Sequence, residues 1–458
     1  MTKSYSAAIA IALALGTSPA AAQTEIELLR QQLRAMEQRL AELEAQQNAT
    51  QDQVEETAAQ AEESARTIET EVVKSGGTLG TFILPGTDTR ISFGGYVKGD
   101  FIYDVTGDIG SDDLFVASSI GVGVPDDNRF TAHARQSRFN VRTTTPSALG
   151  PVKTFFEGDF FGFGAPGTEV FTNSFSFRIR HLYGEVGPVG AGQFWTNFMP
   201  IEAYPRTVDF QGASGIPFIR QGQLRLTQPL TEKFTVIASL ENSEFSGRAV
   251  DAGDVDGDGD VTELFSFGDT APGALGGLDV GLDVAPDAVL AGVYRGDFGL
   301  LRGSVVGRRF GGQGSGDGTF GWGVNAAANV NLWEGAKGLA SITYGDGVGR
   351  YLIDGAGLDG VVLANGDIET INALGATVQL QQQLTEDLTG AVAYGRYDVF
   401  EAFGPGDIDT LQTVHGSLFW SPVDRVTFGA EVIWGQRENA NDASDSAFRV
   451  QSSLQVNF

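Results

Sequence analysis

The chain ends in the sequence FRVQSSLQVNF, residues 448–458, in which apolar and polar side chains alternate. Successive side chains of an extended strand point to opposite faces. One face would therefore carry Phe448, Val450, Leu454, Val456 and Phe458, and the other Arg449, Gln451, Ser453, Gln455 and Asn457. A two-sided strand that ends on an aromatic residue is typical of a transmembrane β-barrel, which meets lipid outside and water inside. Strands of a soluble β-sandwich can show the same alternation, so the rest of the chain is needed to distinguish the two folds.

Residues 1–22 have the pattern of a secretory signal peptide. Lys3 supplies a positive charge, Ala7–Leu15 is an apolar run, and the three alanines before Gln23 fit an A-x-A cleavage site. The run is too short to span about 30 Å of hydrocarbon, and no later segment offers about 18 continuous apolar residues. We therefore expect an exported protein that is soluble in the periplasm, secreted, or a barrel.

The composition is compatible with a barrel and excludes several other classes. The 458 residues include 62 Gly and 31 Phe but no Cys, so disulfides and thiolate chemistry are absent. A net charge of −28 argues against a nucleic-acid partner, whose phosphates require a basic surface. The mean hydropathy of −0.06 does not exclude a membrane protein, because lipid-facing and lumen-facing residues alternate in a barrel.

After residue 22, apolar residues recur at alternating intervals of three and four, which predicts a coiled coil. Its core would consist of Ile26, Leu29, Leu33, Met36, Leu40 and Leu43. An amphipathic helix packed on its own domain is the alternative. The seam does not fix the number of helices. The expected domains are a signal peptide at 1–22, a coiled coil at 23–73, a linker at 74–90 and a barrel at 91–458.

From Ile91 the hydrophobic pattern has the period of two residues that indicates β-strands. About sixteen strands are predicted, at about 91–104, 131–145, 151–161, 174–186, 189–197, 218–228, 233–241, 288–296, 298–310, 321–333, 337–348, 369–384, 388–400, 410–421, 425–437 and 446–458. Short turns alternate with long loops, as in outer-membrane barrels, and an even strand count puts both chain ends in the periplasm. The expected fold is all-β: a 16-stranded antiparallel transmembrane β-barrel preceded by an N-terminal α-helical coiled coil.

Two segments, together with the leader and the coiled coil, resemble a known family. ISFGGYVKGDFIYD at Ile91–Asp104 and GQFWTNFMP at Gly192–Pro200 are similar to the DcaP-like outer-membrane porins. The resemblance implies a trimer of sixteen-stranded channels with periplasmic coiled coils that takes up small anionic solutes such as dicarboxylates. It carries no strict signature of binding residues.

Strand alternation assigns a set of charged residues to the pore wall: Arg138, Arg142, Lys153, Glu157, Asp159, Arg178, Arg180, Arg225 and Arg302. The wall is mostly basic, whereas the acidic residues concentrate in the loops. Arginines in a pore lower the electrostatic barrier for anions and raise it for cations. Alternatively, paired charges, such as Lys153 with Glu157 or Asp159, only cross-link the wall.

Two loops carry further candidate residues. The third long loop, at about 198–217, is expected to fold into the barrel and to place Glu202, Arg206 and Asp209 at a constriction. A loop that covers the rim or lies at a subunit contact is the alternative. A weak calcium candidate contains Asp254, Asp256, Asp258 and Asp260, but Phe265 occupies the position at which an EF-hand loop supplies its bidentate Glu.

The predicted function is passive diffusion of small hydrophilic, preferably anionic solutes through a homotrimeric outer-membrane porin of a Gram-negative bacterium. No cofactor or catalysis is expected, because the three His residues, at positions 133, 181 and 415, lack metal-ligand spacing. Expected partners are outer-membrane lipid and lipopolysaccharide, and the barrel-assembly machinery through Phe458. The alternatives are a structural barrel that tethers the envelope through its coiled coil, and a surface adhesin.

Overall fold

The structure, a computed structural model, describes residues 19–71, 74–75, 80–110, 113–162, 172–250, 261–262, 283–312, 316–355, 358–363 and 365–458. The chain divides into two units, one of residues 1–74 with 85–87 and the other of the remaining residues to 458. The first unit contains one long helix, α1 (Pro19–Glu71). Within the part of the chain that is described, no helix combines the length and apolarity that membrane crossing needs.

The six predicted core residues of α1 lie uncovered along one side of this helix, with 50–66% of their surface accessible. A heptad seam becomes buried only when another helix packs against it. The helix itself is therefore established, and the coiled coil stays a prediction.

The second unit is a closed barrel of sixteen antiparallel strands, as predicted. The strands are β1 (Arg90–Thr106), β2 (Arg129–His133 and Arg138–Thr145), β3 (Val152–Gly162), β4 (Ser176–Val186), β5 (Val189–Trp195), β6 (Arg220–Pro229), β7 (Phe234–Glu241), β8 (Asp287–Gly296), β9 (Gly299–Arg309), β10 (Phe320–Trp333), β11 (Ala336–Asp346), β12 (Asn372–Gln383), β13 (Leu388–Val399), β14 (Ile408–Val423), β15 (Val426–Asn439) and β16 (Ser444–Asn457). Each strand pairs with its neighbour in sequence, and β16 pairs with β1 to close the sheet.

The last strand has the two faces that its sequence predicts. Val450, Leu454 and Val456 are 39–43% exposed on the outer face, whereas Arg449 and Gln451 are at most 2% exposed on the inner face. The barrel thus has an apolar exterior and a polar interior, which is the arrangement that a bilayer requires.

Two irregularities were not predicted. The second strand is interrupted, because residues 134–137 form a turn in which the Ser137 N–H donates to the Ala134 carbonyl at 3.0 Å. In β4, Glu157 pairs with His181 and Gly158 with Ile179, so Arg180 is an extra, bulged residue. Both Arg180 and His181 are consequently buried on the inner face, as a β-bulge allows.

The connections sort into two sets, as predicted. Seven short turns link β2 to β3, β4 to β5, and so on at one end. The other end carries eight loops, named L1 to L8 in chain order, of which L1 (107–128), L3 (196–219) and L6 (347–371) matter below.

Short elements accompany the barrel strands. The short strands are Lys74–Ser75, Thr81–Ile83, Arg248–Val250, Val261–Thr262, Gly360–Val362 and Ile368–Thr370, and the 3₁₀ turns are Ala117–Ser119, Ile201–Ala203 and Gly349–Tyr351. Thr81–Ile83 pairs with the start of β1, so the segment predicted as a linker contributes to the sheet. The last four short strands form a separate sheet between L4 and L6.

A buried ion pair crosses the closing seam. Arg449 of β16 donates from Nε to Asp104 Oδ1 at 2.5 Å and from Nη2 to Asp104 Oδ2 at 3.0 Å. Both side chains are at most 2% exposed. This bidentate pair fixes the register of the two strands that close the barrel.

We expect Arg449→Met to destabilise the barrel by about 3–5 kcal/mol, because it removes the bidentate partner of the buried Asp104 carboxylate and leaves only Arg129, which is partly exposed and 3.5 Å away. Arg396→Met is the matched control. Its pair with Asp398 leaves the Arg396 side chain 40% exposed, so the expected loss is below about 1 kcal/mol. Urea unfolding, followed by the mobility of the folded barrel in gels, measures both values. Equal losses would contradict a special role for the seam.

Candidate functional site

Five of the predicted wall residues, on β2, β3 and β4, come together in one charged cluster. Arg178 binds Asp159 through two hydrogen bonds, of 3.0 and 2.9 Å. Arg180 joins Glu157 and Asp159 at 2.8 Å each. Arg138 Nη1 lies 3.5 Å from Glu157 Oε1. Two carboxylates therefore hold three guanidinium groups, and the cluster keeps an excess of positive charge.

Three further arginines of this wall make no ion pair within the described residues. Arg142 lies over the Phe155 ring at 4.5 Å, and Arg225 donates only to Thr227 Oγ1 at 3.0 Å. Arg220 lies 5.0 Å from the Trp195 ring centre. Arg220, which follows L3 as the first residue of β6, was not among the predicted wall residues. Alternation gave no signal for it, because Arg220 has the parity of the outward-facing Leu224 and Leu226, and its ring contact with Trp195 depends on the tertiary structure.

Lys153 and Arg302 do not join this cluster. The hypothesis that Lys153 pairs with Glu157 or Asp159 is wrong, since its Nζ contacts Glu185 Oε1 at 2.8 Å. Arg302 lies on the β9 wall and donates to the Asn197 carbonyl at 2.7 Å. Neither residue contributes to the positive excess on β2–β6.

The expected separation between a basic wall and acidic loops is wrong for much of the barrel. Besides Asp159, five carboxylates of the described strands lie on inner faces and are at most 2% exposed: Asp100, Asp104, Glu241, Asp287 and Glu431. Alternation places them there as readily as it places arginines. The positive excess is therefore local to the wall formed by β2–β6.

L3 lies inside the barrel and is attached to the inner faces of distant strands. The Arg206 N–H donates to Gln379 Oε1 at 2.9 Å, and the Gln379 amide returns a 2.8 Å bond to the Arg206 carbonyl. Glu431 accepts the N–H of Val208. The Ser214 N–H donates to Thr413 Oγ1 at 3.0 Å. These bonds hold the loop across the lumen.

The three predicted residues of L3 have different surroundings. Glu202 lies between Arg295, at 3.2 Å, and Arg302, at 3.3 Å. Arg206 is exposed, and its guanidinium lies 3.9 Å from the Phe419 ring centre. Asp209 is 2% exposed, so it anchors the loop instead of facing the lumen. The constriction role of these residues stays a prediction.

Glycines on the wall let the L3 backbone approach closely. A Cβ at Gly375 would lie 2.0 Å from the Gly215 carbonyl oxygen, and one at Gly395 would lie 2.5 Å from that of Ser214. Both distances are far shorter than any real contact. These inward-facing glycines of β12 and β13 are the sequence signal for a loop packed against this wall.

Two buried carboxyls lie where L1, L3 and L6 meet. Asp209 of L3 accepts the N–H of Phe115 from L1 at 3.1 Å. Asp354 of L6 accepts the Ser214 hydroxyl of L3 at 2.5 Å. Burial raises the pKa of each carboxyl to about 6. Around neutral pH both groups are therefore close to taking up a proton.

Two candidates from the sequence remain, the His415–Ser417 pair and the acidic run of L4. His415 Nδ1 lies 2.9 Å from Glu431 Oε1, but the Ser417 hydroxyl donates to the same Glu431 at 2.7 Å. The hydroxyl is thus bonded to a carboxylate and not to the imidazole, which differs from an activated nucleophile. The acidic run at Asp254, Asp256, Asp258 and Asp260 lies outside the described residues, so calcium binding stays a prediction.

A closed sixteen-stranded barrel, with an apolar exterior, a charged lumen and an inward third loop, defines the class of outer-membrane porins. The family model of the DcaP outer membrane protein matches residues 27–262, which is more than half of the chain. The chain therefore belongs to the DcaP family and is a porin of the Gram-negative outer membrane.

Solved structures agree with this fold. The crystal structure of the outer-membrane channel DcaP of Acinetobacter baumannii is similar with a TM-score of 0.67 and 20% identity, over 81% of this chain and 97% of that one. In-vitro folded OmpT, an outer-membrane protein of Vibrio cholerae, is similar with a TM-score of 0.50 and 11% identity, over 82% of this chain and 99% of that one. A search of curated proteins found no match.

We expect Gly395→Val to displace L3 from the wall, because its side chain would occupy the position of the Ser214 carbonyl. Single-channel recording should show a conductance about twofold larger and noisier than that of the wild type. Gly222→Val is the control, since a Cβ at Gly222 meets nothing within 4 Å. An unchanged conductance in a folded Gly395→Val barrel would contradict the attachment of L3.

The junction of L1, L3 and L6 should be more stable at pH 5 than at pH 7.5. A carboxyl whose folded pKa exceeds its unfolded value stabilises the folded state while protonated, so the stabilisation is present below about pH 4 and lost as the pH rises through about 6. Thermal unfolding at both values measures the difference. Asp354→Asn should reduce it, whereas Asp424→Asn, in an exposed turn, should leave it unchanged. An equal pH dependence in both variants would contradict this assignment.

Proposed function

We propose that this porin passes small hydrophilic anions by diffusion, with the β2–β6 wall as the source of its preference. The observation that carries the proposal is the presence of three guanidinium groups, on Arg142, Arg220 and Arg225, without an ion pair among the described residues. A fixed positive potential inside a low-dielectric wall raises the local concentration of anions and opposes cations. No cofactor or catalytic step is needed for this function.

The wall is suited to carboxylate-bearing solutes, including dicarboxylates. A guanidinium group presents paired N–H donors that match the two oxygens of a carboxylate. Aromatic rings lie beside these donors, with Phe155 under Arg142 and Trp195 under Arg220. Apolar faces next to the cations reduce competition from water and support contacts with the carbon skeleton of a solute.

We further propose a homotrimer whose α1 helices form a periplasmic coiled coil. The support is the continuous apolar seam of α1, which needs partner helices to be buried. The exposed apolar outer face of the barrel would contact lipid, with lipopolysaccharide on the side of the long loops. Phe458, which is 51% exposed, would be available to the barrel-assembly machinery.

The selectivity can be tested by reversing charge in the lumen. We expect Arg142→Glu combined with Arg225→Glu to reduce the anion-to-cation permeability ratio by about threefold or more. Reversal potentials in a salt gradient measure this ratio. Arg425→Glu makes the same charge change in an exposed turn and should leave the ratio near the wild-type value. A ratio that the double variant does not change would remove this wall from the selectivity.

A further inference from the structure

An apolar cluster fills part of the barrel interior on the side opposite β2–β6. Phe115 and Ile120 of L1 and Leu352 and Val361 of L6 pack against the inner face of β12–β16. Wall residues such as Ile433 complete the cluster. All five side chains are at most 3% exposed. We call the part of this cluster that L1 and L6 contribute the plug.

Specific contacts hold the plug against the wall. Gly435 of β15 leaves room for the Phe115 ring, since a Cβ there would lie 2.4 Å from Phe115 Cε1. Arg437 Nη1 donates to the Ser118 carbonyl of L1 at 2.9 Å. On its inner side, the plug is tied to L3 by the bond from the Phe115 N–H to Asp209. The plug is thus an integral part of the folded barrel.

On the opposite wall, three arginine side chains stay in contact with the lumen. The side chains of Arg138 and Arg178 are 18% and 28% exposed despite their ion pairs. Arg142, nearer the short-turn end of the same wall, is exposed. By contrast, the inner-face residues Tyr397, Leu411 and Ile433 beside the plug are fully buried. Charged surface of the β2–β6 wall is therefore accessible from the lumen, whereas L1 and L6 cover these three residues of the β12–β16 wall.

A charged solute cannot cross a dry apolar region, because removing an ion from water without compensating partners costs many kcal/mol. We propose that solutes cross this barrel by an eccentric route along the β2–β6 wall, and that the plug closes the β12–β16 side. This route deepens the proposed function, on which it rests. It makes selectivity a property of one wall and not of the whole circumference.

The absence of cysteine from the chain permits a direct test in planar bilayers. Asn140→Cys places a thiol on the route, because Asn140 pairs across the sheet with Glu157 on the inner face. Ala447→Cys places one beneath the plug, where Ala447 is 1% exposed. The probe is the anionic reagent 2-sulfonatoethyl methanethiosulfonate, applied to conducting channels of each variant.

We expect the reagent to reduce the conductance of Asn140→Cys by about twofold or more and to leave Ala447→Cys unchanged. Adding Phe115→Ala to Ala447→Cys should make that channel sensitive, which shows that the plug, and not the site itself, protects the thiol. A block of Ala447→Cys alone, or a conducting Asn140→Cys that is insensitive, would overturn the route. If the wild-type barrel did not conduct, the proposed function would fail together with the route.

Discussion

Closure of the sheet is the constraint on which the rest of this structure depends. Hydrocarbon offers no partner to a backbone N–H or C=O group, so a sheet in a bilayer cannot leave an edge unpaired. The pairing of β16 with β1 removes that edge, and the buried Arg449–Asp104 pair lies across the same seam. Closure fixes one apolar surface towards lipid and forces every second residue of each strand into a confined interior.

That confinement explains why charges and loops share the interior. A buried charge is tolerated when it is paired and hydrogen-bonded. Glu431 shows this most clearly, since it is bonded to the Val208 N–H, to His415 and to the Ser417 hydroxyl. Its bond to Val208 also attaches L3 to β15. The same groups that neutralise buried charge therefore position the loop across the lumen, while the wall on β2–β6 keeps an excess of guanidinium groups.

Features that depend on local alternation were predicted correctly from the sequence. Features that depend on contacts between distant residues were not. The faces of β16, the number of strands and the inner placement of Arg178 follow from the period of two residues. The turn at residues 134–137 and the bulge at Arg180 break that period and have no clear local signal. The predicted partner of Lys153 was wrong. Lys153 contacts Glu185 on the neighbouring strand β4, and the register of β4 with β3 is set by the barrel.

By itself, the sequence determined an N-terminal helix and a closed barrel with an apolar exterior and a charged interior. Each of these features depends on the order of apolar and polar residues along a strand or helix. The tertiary structure alone decided which charges are neutralised and which part of the interior is filled. Arg220 has no ion pair among the described residues, and the Phe115 ring packs against Gly435. Both arrangements arise because strands and loops that are far apart in sequence meet inside the barrel. Such contacts depend on strand register and loop conformation, which no local sequence pattern encodes.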